Sequence, residues 1–449
     1  MWMTTSSSGC GRSSVMGHSK PPRHRDGFSR LHHPVFLAAL RSAASFARRH
    51  VLRIAELLAS ESIVARRYVG ALGGSSGRES VVLFFVGRGR FAREFEVYFR
   101  EDTGRGIAPA ATLFRGNLVQ YLLHRARLAQ EAREADLVAH EVFPGALAGA
   151  DGHLHYPMLQ GSLHVEASID RQICRMRSRA QRRRARDLLR RGGYREWVAH
   201  GPEAPEQFRA TLYEPYVRAR FGAWGFINDP AELRRLYASK GYILFVAPSA
   251  GPSEPVCGAL LLDEGSGVVA YFLNGFSDAG RRDPARIAEH TMALELAVMK
   301  HAIERRLLRI ELGYTRAILS DGLFTHKRRL GGDFTPQAGS PLFCVRVRPT
   351  RRAAIFARFP LLAVGPHGWR ALLGFDDEAP RLTKGAWRGM FKSYRQLGLW
   401  QATVWTNASG ERRWDPLGEP AFRSALAELL DLPGRIDFLI DGEPSESKR

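Results

Sequence analysis

A chain of 449 residues with 45% hydrophobic side chains can bury the cores of two or three domains, which excludes global disorder. Its formal charge of +21 comes mostly from arginine and favours anionic partners: phosphorylated cofactors, RNA or acidic lipid surfaces. Cys10, Cys174, Cys257 and Cys344 stand far apart without a CxxC pair, which argues against a disulfide scaffold or cysteine zinc site and fits a reducing cytoplasm.

Residues 1–30 are rich in Ser, Gly and Arg, have no apolar core, and read as a flexible tail rather than a secretory signal. No apolar run reaches the roughly 18–20 residues that span a bilayer. An N-terminal α/β lobe is expected over 31–165. It opens with helical spacing in HHPVFLAALRSAASFARRHVLRIAELLASESI. VVLFFV (81–86) and FEVYF (95–99), separated by the basic turn GRGR, read as two strands. A helix is expected from about Gly116 into the 130s, and GADGHLHYPMLQGS (149–162) reads as turns separating two folded units.

An Arg-rich helical connector is expected over 166–202. Within it, RQICRMRSRAQRRRARDLLRR (171–191) holds ten arginines and one acid, Asp187, with Ile173, Met176, Ala180 and Leu188 as a buried stripe. A solvated face alternates signs; this one does not, so it is an anion-contact candidate.

The clearest folded unit is 203–349. Two helices (204–222 and 229–240, the second capped by Asp229 with Pro230 at its first position) precede strands YILFVA, VCGALLLDE and VVAYFLNG. Asp283-Pro284 opens a long helix that runs into LLRIEL (307–312). Ser320 and Asp321 can then cap a short helix, LFTHKRRL, that stops at Gly331 and Gly332. LFCVRVR (342–348) alternates as a strand. The order αα-βββ-α-β-α-β predicts one mixed sheet over 242–345 with helical cover, not a doubly wound dinucleotide fold, and no GxGxxG follows a strand. A C-terminal extension is expected over 350–440, with RRAAIFARFPLLAVG as a basic, apolar surface helix suited to membrane contact and AFRSALAELLDL as a further helix. A flexible tail is expected over 441–449.

The ordered segments EASIDRQICRMRSRAQRRRARDLLRRGG, YVRARFG, FLNGFSDAGRRDPARIAEHTMALELAVMKHAIERRLLRIELGYTR and GLFTHKRRLGGDF resemble FemAB-like and BioF2-like acyltransferases of the GNAT fold, over roughly residues 150–345. In that group a strand ends in an acid, a spacer and Gly, and a nearby helix carries Phe-Lys-x-x-x-Gly. Here Glu311 and Gly313 match the first, and Lys327 with Gly331 matches the lysine–glycine spacing. Tyr314 and Thr315 displace the Gly-Arg step, His326 replaces the Phe before the lysine, and the compact pyrophosphate loop of standard acetyltransferases is absent.

The resemblance implies a GNAT-like mixed sheet in two lobes joined by the Arg-rich helix, the first lobe being a diverged copy. It also implies transfer of an acyl group from acyl-CoA or aminoacyl-tRNA to an amine, in cell-envelope or polysaccharide synthesis among other settings. Glu311 would act as base or orient the amine, and Tyr314 would donate a proton or hydrogen bond. Lys327, Arg316 and Arg328 would contact phosphate or oxyanion, Asn274 would add an amide at the sheet edge, and Arg220 belongs to the matching Arg-Phe-Gly element. No metal is expected: His153 and His155 form an HLH pair without companion ligands. The expected setting is the cytoplasm, extending to the inner membrane face through the phosphorylated donor, tRNA or acidic lipid as partner. The competing reading is a non-catalytic RNA- or acidic-membrane-binding protein on a degenerate acyltransferase fold.

Overall fold

The computed structural model describes residues 62–73, 78–98, 108–142, 152–222, 227–250, 254–337, 340–365, 368–375, 399–406 and 436–440, all within one compact unit, Leu57–Arg449. The expected tails, the helix expected ahead of residue 62 and the helix expected over AFRSALAELLDL lie outside the described residues.

The first stretch runs β1 (Ile63–Gly73), β2 (Arg78–Arg88), α1 (Gly89–Tyr98), β3 (Ala108–Gly116), α2 (Leu118–Glu134), β4 (Leu137–Glu141) and β5 (His153–His155). Of FEVYF, expected as a strand, residues 95–98 lie in α1 and Phe99 is outside the described residues. Phe91, Ala92 and Phe95 recur at helical spacing and are all buried, which outweighs the period-2 alternation of Phe95, Val97 and Phe99. A capping box starts α2. The Gln120 amide N–H donates to the Asn117 side chain at 2.9 Å, and the Asn117 N–H donates to the Gln120 side chain at 3.0 Å.

The second stretch runs β6 (Met158–His164), α3 (Ile169–Arg175), α4 (Arg179–Arg191), β7 (Tyr194–Ala199), α5 (Ala204–Phe208), a π-helical turn (Arg209–Tyr213) and α6 (Glu214–Phe221). It continues with α7 (Pro230–Lys240), β8 (Gly241–Pro248), β9 (Cys257–Gly265), β10 (Val268–Phe276), α8 (Asp278–Arg281), α9 (Pro284–Glu304), β11 (Arg309–Arg316), α10 (Gly322–Arg329) and β12 (Asp333–Pro336). Asp229, Asp283 and Asp321 cap α7, α9 and α10 as expected. The 149–162 stretch is not merely a separator, because its second half is β6. The Arg-rich segment is two helices, broken where the Ser178 side chain caps α4. Its buried stripe holds Ile173, Met176, Ala185 and Leu188; Ala180 is exposed.

The last elements are β13 (Phe343–Val347), α11 (Arg352–Arg358), β14 (Leu361–Gly365), β15 (Gly368–Phe375), β16 (Leu399–Thr406) and β17 (Ile436–Ile440). The expected surface helix after residue 350 is corrected here. Ala353, Ile355 and Phe356 of α11 are buried against neighbours that include Trp405, so its apolar face is committed to the core and offers no membrane anchor.

Two mixed sheets carry the architecture. One has the order β3-β1-β2-β4-β13-β5, the other β12-β6-β11-β10-β9-β8-β7; β14 to β17 form a third sheet in sequence order. LLRIEL therefore shares a sheet with YILFVA and VVAYFLNG, as expected, whereas LFCVRVR does not: β13 pairs with β4 and β5. Each large sheet has one internal parallel pair, β2 with β4 and β10 with β11, flanked by antiparallel partners. The strand inserted next to that pair is exchanged. β13, which follows β12 in the chain, lies between β4 and β5, and β6, which follows β5, lies between β11 and β12. Edge strands present unpaired backbone groups, and the exchange gives each sheet an inner strand from the other half of the chain.

Candidate active site

The seven-stranded sheet opens at its parallel pair. Only Val268, Val269 and Ala270 of β10 pair with Arg309, Ile310 and Glu311 of β11. Beyond that point β10 stays on β9 as far as Phe276, and β11 stays on β6 as far as Arg316, so the two strands part. Each carries a register shift at the parting: β10 between Tyr271 and Leu273, β11 between Glu311 and Gly313. An extra residue bends and twists its strand, and two such bends in adjacent strands separate their backbones. Gly313 has φ +71°, a conformation that glycine adopts without steric cost.

Three helices and β10 supply the side chains beside the opening. The π turn packs directly on β10: a Cβ on Gly275 would lie 2.5 Å from the Leu212 carbonyl carbon. That contact fixes the start of α6, whose Arg220 donates to the Tyr216 hydroxyl. From α9 comes Glu295, 4% exposed within a row of buried apolar residues. One of its oxygens meets Nε2 of His326 on α10, and the other, Oε2, is buried without a partner among the described residues. Glu295 raises the His326 imidazole above its ordinary range, outweighing burial and the charges of Lys327 and Arg220. Burial, with Glu295 second, pushes the Tyr271 phenol well up, and a hydrogen bond with Asn274 opposes this.

Lys327 is 5% exposed, and burial pulls its ammonium down to about 7, with Asp321 the opposing influence. Its stem crosses β6 at Gly161, 3.4 Å from where a Cβ would stand, and Nζ donates to the Tyr314 carbonyl at 2.7 Å. A Cβ at Gly313 would stand 4.0 Å from Nζ, in ordinary contact. The expectation that Lys327 snorkels from the margin of a face formed by Leu323, Phe324 and Leu330 is corrected: Leu323 is 50% exposed, and Lys327 itself is buried with Phe324 and Leu330. The α3–α4 junction braces the end of α10. The Arg177 N–H donates to the Arg329 carbonyl at 2.9 Å, and Gly331 passes so close to Arg175 that a Cβ would lie 2.7 Å from its carbonyl oxygen.

The structure thus brings Lys327, Asn274 and Arg220 to one neighbourhood, with Tyr271, Glu295 and His326. It sets Glu311 and Tyr314 on the other sheet face. They pair with Ser162 and Gln160 of β6, whereas Gly161, between those two, faces Lys327 and Leu312. Glu311 takes hydrogen bonds from Gln160 (3.2 Å) and Arg309 (3.1 Å), and the Tyr314 side chain is 51% exposed. Arg316 bonds Asp321 through Nε (2.7 Å) and Nη2 (2.6 Å), which ties it to the cap of α10. Arg328 is buried, and burial lowers its guanidinium to about 10. Sequence reasoning passes over Glu295, Tyr271 and His326. A lone acid within the apolar run TMALELAVM is the available signal, since an unpaired acid is rarely buried.

Among the described residues no group of three or more His, Cys, Asp or Glu can hold a metal ion, and no helix is long and apolar enough to cross a membrane. His155 is buried on the Leu362 carbonyl at 2.7 Å, and burial lowers its ring to about 4.

Fold and site define an α/β protein of mixed sheets with helical cover, the larger sheet open at its parallel pair beside a buried lysine. No family model and no curated protein matches the chain. Among solved structures it is similar to FemX, at 13% identity and TM-score 0.33, over 63% of this chain and 88% of that one. It is also similar to a GCN5-related N-acetyltransferase from Kribbella flavida (11%, TM-score 0.24, 76% and 70%). A third is a tandem GNAT protein from the clavulanic acid biosynthesis pathway (11%, TM-score 0.23, 60% and 77%). None of these superpositions is close enough to bear on residues or activity.

Proposed function

We propose that the protein is a GNAT-like N-acyltransferase or aminoacyltransferase of the FemAB-like kind, moving an acyl group from acyl-CoA or aminoacyl-tRNA to an amine. The observation that carries this reading is the opening of β10 from β11 beside a buried lysine. An opened strand pair exposes backbone N–H and C=O groups that an extended thioester or aminoacyl ester can pair with. A lysine amine there can meet the charge that develops on the carbonyl oxygen. Lys327 is the cation for oxyanion or phosphate, Asn274 adds an amide, and Arg220 and Arg328 add positive potential. Arg316 acts through Asp321 by fixing the start of α10. Glu311 and Tyr314, on the other sheet face, orient the acceptor. Both donor classes place the protein in the cytoplasm, with acidic lipid at the inner membrane face as a peripheral contact.

The second reading, a non-catalytic binder of RNA, draws on α4. Arg179, Arg183, Arg186 and Arg190 recur at i, i+4, i+7 and i+11, so they share one exposed face. Mass spectrometry of protein purified without stripping ligands, followed by turnover assays across acyl-CoAs and charged tRNAs, separates the two. Acylated product is expected; RNA binding with no transfer from any donor favours the second reading.

A further inference from the structure

We infer that His326, held by Glu295, is the base that takes the proton from the attacking amine, and that Glu295 is its positioning residue. The inference rests on the acyl-transfer reading. Glu295 lies among Met292, Ala293, Leu294 and Leu296 of α9, all buried, where a carboxylate is retained only at the cost of apolar packing. One oxygen is spent on Nε2 of His326. That leaves the ring, whose side chain is 36% exposed, with Nδ1 free of hydrogen bonds among the described residues. A buried carboxylate on one ring nitrogen and an open second nitrogen is the arrangement of an oriented base, which stays neutral at Nδ1 while Nε2 keeps its proton.

Position supports the role. Glu295 acts on both His326 and Tyr271, and Tyr271 is the first residue of β10 beyond the parallel pairing. Lys327 follows His326 on the same helix and donates to the Tyr314 carbonyl of β11 beyond the parting, while His326 turns to Glu295 of α9. The charges facing the imidazole are Glu295 from α9, Arg220 from α6 and Lys327 from α10, and the carboxylate dominates. In the step, the amine lone pair forms the C–N bond to the acyl carbon and its N–H proton passes to Nδ1. The C–S bond of a thioester or C–O bond of an aminoacyl ester then breaks with its electron pair, and the proton moves to the departing sulfur or oxygen.

The test uses the full chain with acetyl-CoA, longer acyl-CoAs and alanyl-tRNA as donors and primary amines as acceptors. His326→Gln is expected to lose about 10²–10⁴-fold in kcat, with donor KM within roughly threefold. Glu295→Gln should move the rising limb of kcat/KM against pH to lower pH, and Glu264→Gln, whose carboxylate pairs with Lys240 and has no part in the site, should leave that limb in place. Wild-type protein, which needs no variant to fold, should itself show the rising limb, shifted above the ordinary histidine range by the Glu295 carboxylate. A flat wild-type profile, a His326→Gln variant retaining more than about a tenth of the rate, or a limb unmoved by Glu295→Gln overturns the inference while acyl transfer stands. Wild-type protein that turns over none of these donors fails the functional reading itself, and the base falls with it.

Discussion

Lys327 acts against stability, whereas under the proposed function it acts for binding. Its amine titrates near 7 in the folded chain and near 10.5 when unfolded. Between those values the unfolded state holds more protons, so stability rises as pH climbs from 7 to 10.5 and is lost as pH falls back. Lys327→Met should therefore be more stable than wild type, by on the order of 2–4 kcal/mol near pH 6, with the gap closing towards pH 10.5; urea melts across pH give the curve. The same change should weaken an anionic donor by about 1–3 kcal/mol, because the interaction it removes is charge-assisted. Arg316 belongs to a different case. Arg316→Ala removes the ion pair of Asp321, which is buried, caps α10 and keeps hydrogen bonds from the Phe324 N–H at 2.8 Å and the Thr315 hydroxyl at 3.2 Å. It should cost roughly 1–3 kcal/mol in a denaturant melt, the scale for losing a charge-assisted hydrogen bond.

At the scale of elements, the site depends on close backbone approach. The π turn rests on Gly275 and brings Leu212 against Gly258, where a Cβ would meet its side chain at 3.1 Å. Gly275→Ala pushes a methyl into backbone rather than into a side chain that can swing away, so it should cost about 1–3 kcal/mol or more and displace α6 with Arg220. Thermal melting reads the first effect and donor affinity the second. The arginine face of α4 carries the RNA-binding reading. Asp187 is shared between Arg183 and Arg190, so one acid serves two of the four cations on that face. Replacing Arg179, Arg183, Arg186 and Arg190 by Gln should weaken binding to single-stranded RNA. The slope of log affinity against log salt should fall by about 3, at roughly 0.7 for each phosphate no longer neutralised.

For the whole molecule, strand exchange decides what can fold alone. A fragment of residues 203–349, the acyltransferase unit read from sequence, lacks β6 and β7 and carries β13 without β4 or β5. It should express as an aggregating chain with unprotected amides, because β11 and β8 become open edges. A fragment starting at residue 152 restores β6 and β7 and should gain protection. Hydrogen exchange on the two fragments checks this, and equal protection would sink the argument.

Local pattern determined much of this protein: the three caps Asp229, Asp283 and Asp321, strands β8 to β11 and the strand–loop–helix order from Glu311 to Gly332. Apolar period and cap chemistry act over a few residues, so they are written in a few residues. α1 reads as a strand in sequence because five residues, FEVYF, fit both periods, and only the burial of Phe91 and Ala92 chooses between them. Partnership was decided by tertiary structure alone. Nothing local tells β13 to join β4, sets β6 between β11 and β12, or turns Glu311 and Lys327 to opposite faces, because each depends on which distant strand or sheet face an element packs against. The encounter of Glu295 with His326, 31 residues apart, belongs to that second kind. It exists because α9 and α10 both pack against β11, which no window of sequence contains.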